Sequence, residues 1–140
     1  MTYHLAIDDY SDRAVCWKPM EKITEDGDTV RDDFKDVERP MEMCEDCLAM
    51  DLDRQVLEQI VELKEHEMTP RGLLLHPHGV YAARRHLSNV MRHQISITEA
   101  SGPHGFKGFR WRDLLVIERP EAKIWEAEVW GRPRREGESA

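Results

Sequence analysis

Apolar and polar positions alternate in several short runs and recur at helical spacing in two longer ones, a mixture that predicts an α+β chain. Tyr3-His4-Leu5-Ala6-Ile7 alternates as a strand does. The turn-rich Asp8-Asp9-Tyr10-Ser11-Asp12 separates it from Arg13-Ala14-Val15-Cys16-Trp17, which reads as the second strand of an antiparallel hairpin. From Lys18 to Pro40 the pattern is poor and predicts a long loop, with at most one short strand around Thr29-Val30-Arg31. Such a loop is uncommon unless something pins its ends. Leu52, Val56, Ile60 and Leu63 then recur at helical spacing, with Leu57 and Val61 widening the stripe and Glu58, Glu62 and Glu65 opposite. This predicts a helix from Leu48 to His66, capped by Asp51 or Asp53 and stopped by Thr69-Pro70.

Residues 71–77 form a short apolar run between breakers, expected as a buried strand. A second helix is expected from His78 to His93, with Val80, Ala83, Leu87, Val90 and Met91 inward and Arg84, Arg85 and Arg92 outward. Gln94 to Thr98 alternates as a strand, Gly102 to Gly108 is a glycine-rich loop, and residues 109–118 read as one long strand or two. Arg119 to Ala122 reads as a turn, after which Lys123 to Trp130 pairs back as the final strand, bringing Trp111, Trp125 and Trp130 together. The expected organisation is a hairpin, acidic loop and helix over residues 1–66, a helix with an antiparallel sheet over 67–132 packed as one unit with the first, and a flexible tail over 133–140.

Apolar residues make up 40% and charged residues 34%, the balance of an ordinary globular chain. No apolar run is long enough to span a membrane, and no basic segment leads into an apolar one, so a cytoplasmic setting is expected. The net charge of −8 is uneven: residues 1–53 hold 16 acidic against 6 basic side chains, densest from Glu21 to Asp53. A solvated surface is the simplest reading. The sharper one is a surface that repels nucleic acid, or imitates its charge toward a basic partner.

Three cysteines, an odd number, argue against a disulfide framework and for intracellular metal binding. Cys44-Glu45-Asp46-Cys47 is a CxxC turn, and with Cys16 and His4 it spells H-x11-C-x27-C-x2-C, a plausible ligand set for one zinc ion. Zinc favours tetrahedral thiolate and imidazole donors, and a structural site needs four of them. An all-cysteine iron–sulfur cluster is excluded within one chain. The fourth ligand must be a histidine or a carboxylate. The hairpin can return His4 to Cys16, whereas His66 would lie about 28 Å from Cys47 along the helix. Filled by protein, such a site leaves no position for a catalytic water.

The stretches Tyr3-His4-Leu5-Ala6, Val15-Cys16-Trp17 and Met43-Cys44-Glu45-Asp46-Cys47-Leu48-Ala49 resemble short zinc-binding proteins of actinobacteria and their phages. Those proteins carry an HLA-like strand, an isolated cysteine after a hairpin, and CxxCL at a helix start. The resemblance implies zinc held by His4, Cys16, Cys44 and Cys47, and it covers the chain as far as the end of the first long helix. This sequence departs by placing Trp17 where glycine is usual and by its long acidic insertion. Most such proteins have no assigned activity.

Asp113-Leu114-Leu115-Val116-Ile117, followed by Glu128-Val129-Trp130-Gly131, is similar to the core of PD-(D/E)XK nucleases. There an Asp at a strand start and a Glu-x-Lys on the next strand hold a divalent metal that activates water. Trp130 stands where the lysine belongs, and Glu121-Ala122-Lys123 has the letters but falls in the predicted turn. The resemblance therefore implies a degenerate core, and an ordinary hairpin with exposed acids is the simpler reading.

His76-Pro77-His78 offers two imidazoles but no nearby carboxylate, and reads as a packed or surface pair. Arg84, Arg85 and Arg92, with His86 and His93, form a basic patch suited to phosphates, to an acidic partner, or to the chain's own acidic loop. Two functions of different class follow. One is a non-enzymatic, zinc-stabilised interaction protein, expected to bind a host protein rather than nucleic acid. The alternative is a nuclease-like enzyme using Asp113, Glu128 and Glu121 with a divalent metal.

Overall fold

A computed structural model describes residues 1–8, 10–87, 97–101 and 107–135. The elements in chain order are β1 (Tyr3–Leu5), α1 (Met20–Glu25), β2 (Thr29–Arg31), α2 (Glu45–Glu65), β3 (Met68–Leu75), α3 (Pro77–Ala82), β4 (Ile97–Ser101), β5 (Lys107–Trp111), β6 (Leu114–Glu118) and β7 (Glu128–Pro133). Helices and a five-stranded sheet make the expected α+β architecture. The sheet, in the order β4-β5-β6-β3-β7, is mixed rather than antiparallel, because β3 and β6 run parallel. β7 pairs with β3, not with β6 as the sequence suggested, so β3 lies between the last two strands.

The predicted N-terminal hairpin is reduced to one antiparallel bridge, Ala6 with Ala14. Arg13–Trp17 does not run on as a strand, because Trp17 N–H turns back to the Ala14 carbonyl and Ala14 N–H bonds to Lys18. The strand partner of β1 is instead β2, in parallel, with His4 opposite Val30. The supposed long loop thus contains α1, which buries Ile23, and the short strand foreseen at Thr29–Arg31.

α2 starts three residues earlier than its apolar pattern, with Cys44 as N-cap in place of Asp51 or Asp53. Leu48, Leu52 and Val56 are buried on its inner face, whereas Leu57 and Val61 are about half exposed and do not widen the buried stripe. The helix ends at His66, and Glu67 at φ 57 turns the chain out of it, so Pro70 lies inside β3 at an irregular point of the pairing with β7. Pro is tolerated where a strand's register is broken.

Three features fasten α2 to the sheet. Leu73, Leu75, Val116 and Val129 pack beneath it in one buried core. Asp53 accepts hydrogen bonds from Trp111 Nε1 at 3.0 Å and from Arg112 Nε and Nη2 at 2.8 and 3.0 Å. Arg112 and Asp113, both at positive φ, form the two-residue turn between β5 and β6, a backbone shape that suits a tight hairpin. Finally, Gln55 and Gln59 act as a surrogate strand. Their amide oxygens accept from Ala127 and Val129 N–H, and their amide nitrogens donate to the carbonyls of Trp125 and Ala127, all at 2.7–3.0 Å. Four residues of helix rise about 6.0 Å and two of strand about 6.7 Å, so the two repeats match.

Residues 123–127 approach α2 in irregular conformation rather than extending the final strand backwards, while β7 runs past Gly131 to Pro133. The three tryptophans are not clustered. Trp111 is fully buried, Trp125 is half-buried in the connection, and Trp130 lies 41% exposed on the opposite sheet face against Gly72. The second helix is short: α3 passes into a wide turn of π type over Ala83–Leu87, and positions 88–93 of that expected helix lie outside the described residues. So do Gln94–Ser96 of the expected strand and residues 102–106 of the glycine-rich loop. Among the described residues no helix is long and apolar enough to cross a membrane.

Candidate metal centre

β1 is the strip onto which every candidate ligand is fastened. Its Tyr3 carbonyl accepts from Cys44 N–H and its Leu5 carbonyl from Val15 N–H, both at 2.8 Å. Leu5 N–H in turn donates to Cys47 Sγ at 3.4 Å. Two stretches remote in sequence are thereby drawn around His4, which is itself 4% exposed. The tight turn at 14–18 presents Cys16, and the CxxC at the start of α2 presents Cys44 and Cys47. Trp17 adopts φ 70, the left-handed region that favours glycine, and a non-glycine residue there costs about 1–2 kcal/mol. The turn is held by Arg13, whose guanidinium donates to the Trp17 carbonyl at 2.7 Å.

The donor atoms of His4, Cys16, Cys44 and Cys47 all lie within 4.8 Å of one another, a group that could hold a metal ion. Cys16 Sγ is 3.6 Å and Cys47 Sγ 3.9 Å from His4 Nδ1. A tetrahedron with bonds of about 2.3 Å has edges of about 3.8 Å, so the spacing fits a single four-coordinate ion. Thiolate and imidazole donors suit zinc and other soft or borderline cations rather than calcium or magnesium.

The three thiols also act on one another electrostatically. Cys16 is pushed well below the ordinary thiol range, chiefly because Cys44 and Cys47 donate hydrogen bonds to it. Cys44 is pushed up to about 11, first because its thiol donates a hydrogen bond to Cys16, and Cys47 is pushed up by bonds to Cys16 and Cys44 and by burial. Two thiolates no more than 4.8 Å apart repel by at least about 3.5 kcal/mol at an effective dielectric of about 20, which a divalent cation among them would reverse. Each sulfur also meets a backbone N–H that stabilises its ionised form: Lys18 at Cys16, Cys47 at Cys44, and Leu5 at Cys47.

Around the imidazole lies a carboxylate. Asp28 Oδ2 is 3.4 Å from His4 Nε2, and Asp28 Oδ1 accepts from Thr2 N–H at 2.9 Å. The Thr2 amide, then the contact with His4, holds this carboxyl below the ordinary carboxylate range. Spacing alone gave no sign of Asp28, which lies 24 positions from His4 in an acid-rich stretch where it looks like any surface carboxylate.

The other candidates do not assemble. Asp113 is exposed in the β5–β6 turn, at the start of β6, while Glu128 pairs with Leu74, which lies opposite Ile117 near the far end of that strand. β3 lies between β6 and β7, and Glu121 is engaged by Arg119 at 3.4 Å. Among the described residues the His/Cys group is the one candidate metal cluster. His66 caps the far end of α2, remote from it. His76 is the N-cap of α3, its Nδ1 accepting from His78 N–H at 3.0 Å. Arg85 donates to the Tyr81 hydroxyl at 2.6 Å and lies 3.9 Å from Glu45 of the CxxC turn, so part of the basic patch faces the chain's own acid. Arg92 lies outside the described residues. A cleft of about 640 Å³ opens between Gln55, Leu74 and the 119–128 connection, lined by Arg119 and Lys123 as well as Glu121, Glu126 and Glu128. It touches none of the four candidate ligands.

No protein-family model, no curated protein and no solved structure matches this chain.

Proposed function

We propose that this chain is a non-enzymatic interaction protein whose fold is stapled by one zinc ion on His4, Cys16, Cys44 and Cys47, of the kind found in actinobacteria and their phages. The observation that supports it most is the donor set: three sulfurs and one imidazole whose ligand atoms all lie within 4.8 Å of one another, with His4 and Cys47 buried. A zinc so held has no position left for water or substrate, which makes its contribution structural. The partner class follows from charge. Exposed Glu21, Glu25, Asp32, Asp33, Asp36 and Glu38 lie in the stretch between Cys16 and Cys44 and would repel phosphate, which favours a basic protein surface over nucleic acid.

Three measurements test this reading. Elemental analysis of protein purified without chelator is expected to give about one zinc per chain, lost in Cys47→Ser, with chelator lowering the melting temperature. Absence of metal would overturn the staple. Capture of a basic protein partner by the zinc-loaded chain, with no retention on DNA at low salt, is expected. Divalent-metal-dependent cleavage of DNA or RNA that Asp113→Ala abolishes would replace the reading with the nuclease one.

A further inference from the structure

We infer that Asp28 is a positioning residue for the proposed metal centre: it fixes the tautomer and orientation of His4, so that Nδ1 faces the three sulfurs. This rests on the zinc reading and extends it to a residue outside the ligand set. A neutral imidazole carries one N–H and one lone pair, and the hydrogen bond made by one nitrogen decides which the other offers. Here Nδ1 is the atom within 3.6–3.9 Å of Cys16 and Cys47, and Nε2 is the atom turned to Asp28 Oδ2. An acceptor-only carboxylate at Nε2 requires the proton there and leaves the Nδ1 lone pair for the cation.

The carboxylate is itself held. Gly27, at φ 76, ends α1 in a left-handed turn that returns the chain to β2, and β2 lies beside β1 with Thr29 opposite Tyr3. Asp28 is therefore level with the start of β1, where Thr2 N–H fixes Oδ1 and leaves Oδ2 for the imidazole. Lys18 completes the shell, its ammonium 2.7 Å from Asp26 and 4.0 Å from Asp28, while its backbone N–H serves Cys16. One lysine thus connects the outer carboxylates to a ligand-bearing turn. Removing an outer partner of a metal-bound histidine typically weakens metal binding by about 10–100-fold.

The test is a zinc and cobalt titration of the apo chain, followed by circular dichroism and the cobalt absorption bands, on the parent, Asp28→Asn and Asp26→Asn. Asp26 holds the same lysine but does not touch His4, so it controls for loss of charge alone. The expected result is an affinity lower by about 10-fold or more for D28N, with tetrahedral cobalt bands retained, and a change of less than about 2-fold for D26N. Parental affinity in D28N overturns the assignment, as does an equal loss in D26N. A D28N chain that stays unfolded at saturating metal also overturns it, since an orienting role predicts recovery once metal is in excess. A parent that takes up no metal removes the zinc reading itself, whereas a metal-binding parent with an indifferent D28N removes only the role of Asp28.

Discussion

Truncation of Asp53 should cost more than any other single polar substitution in α2. Its carboxylate is 9% exposed and receives three hydrogen bonds, two of them from the Arg112 guanidinium as a fork and one from Trp111 Nε1. In Asp53→Ala the indole N–H of a fully buried tryptophan loses its acceptor, worth about 1–3 kcal/mol. Arg112, itself only 24% exposed on its side chain, keeps a charge without a partner, and breaking such a pair from one side costs about 3–5 kcal/mol in total. Asp53→Asn keeps the shape and an acceptor for Trp111 but loses the ionic fork, so about 1–2 kcal/mol is expected. Urea unfolding at saturating zinc should show the order parent, D53N, D53A with an unchanged slope, and D53A should melt lower by on the order of 10 °C. Arg112→Ala combined with D53A should cost clearly less than the sum of the two. A D53A loss below about 1 kcal/mol, or a D53N loss as large, would refute the view that this network fastens α2 to the sheet.

Other outcomes follow from the same geometry. Replacing both Gln55 and Gln59 by Ala removes the four hydrogen bonds to residues 125–129 and a fifth to Asp51, and uncovers the backbone beside β7; a loss of about 2–4 kcal/mol and concentration-dependent self-association in size-exclusion chromatography are expected. His76 is held below the ordinary imidazole range by burial and then by His78, so the folded state resists its protonation. The unfolded chain therefore binds the proton first: stability is complete above about pH 6.5 and falls as pH drops toward the lower folded value. Asn caps equally well but does not titrate, so H76N should flatten that slope in melts across the pH range. Gly131→Ala should destabilise more than Gly72→Ala. At Gly131 a Cβ meets the Thr69 carbonyl oxygen at 2.5 Å, which is backbone, whereas at Gly72 it meets the ring of half-exposed Trp130, which can swing aside. Thermal melts of the two variants compare them directly.

Much of the local structure was legible because it depends on neighbours in sequence. The helical recurrence of Leu52, Val56, Ile60 and Leu63, the short strand at Thr29–Arg31 and the apolar run at 71–77 each carry their own period. The four candidate ligands were legible because thiols are few in this chain and the CxxC spacing is chemically distinctive, and the structure brings all four together. Their assembly does not follow the expected hairpin, however, since β1 is zipped to β2, to Cys44 and to Val15 by backbone groups that every residue carries and no side-chain pattern reveals. Nor could spacing single out Asp28 or Asp53. A carboxylate in an acidic sequence looks solvated until the fold sets an imidazole or a guanidinium beside it.

Sequence by itself therefore determined the α+β class, the core face of α2 and the candidate ligand types, because periodicity and donor chemistry are local properties. Tertiary structure alone decided that β3 and not β6 receives β7, and that the glutamines of α2 close that strand's approach. It also selected, among the described acidic residues, Asp28 as the one that reaches His4. Those are outcomes of contacts across tens of residues, where the partner of a polar group is chosen by the whole fold.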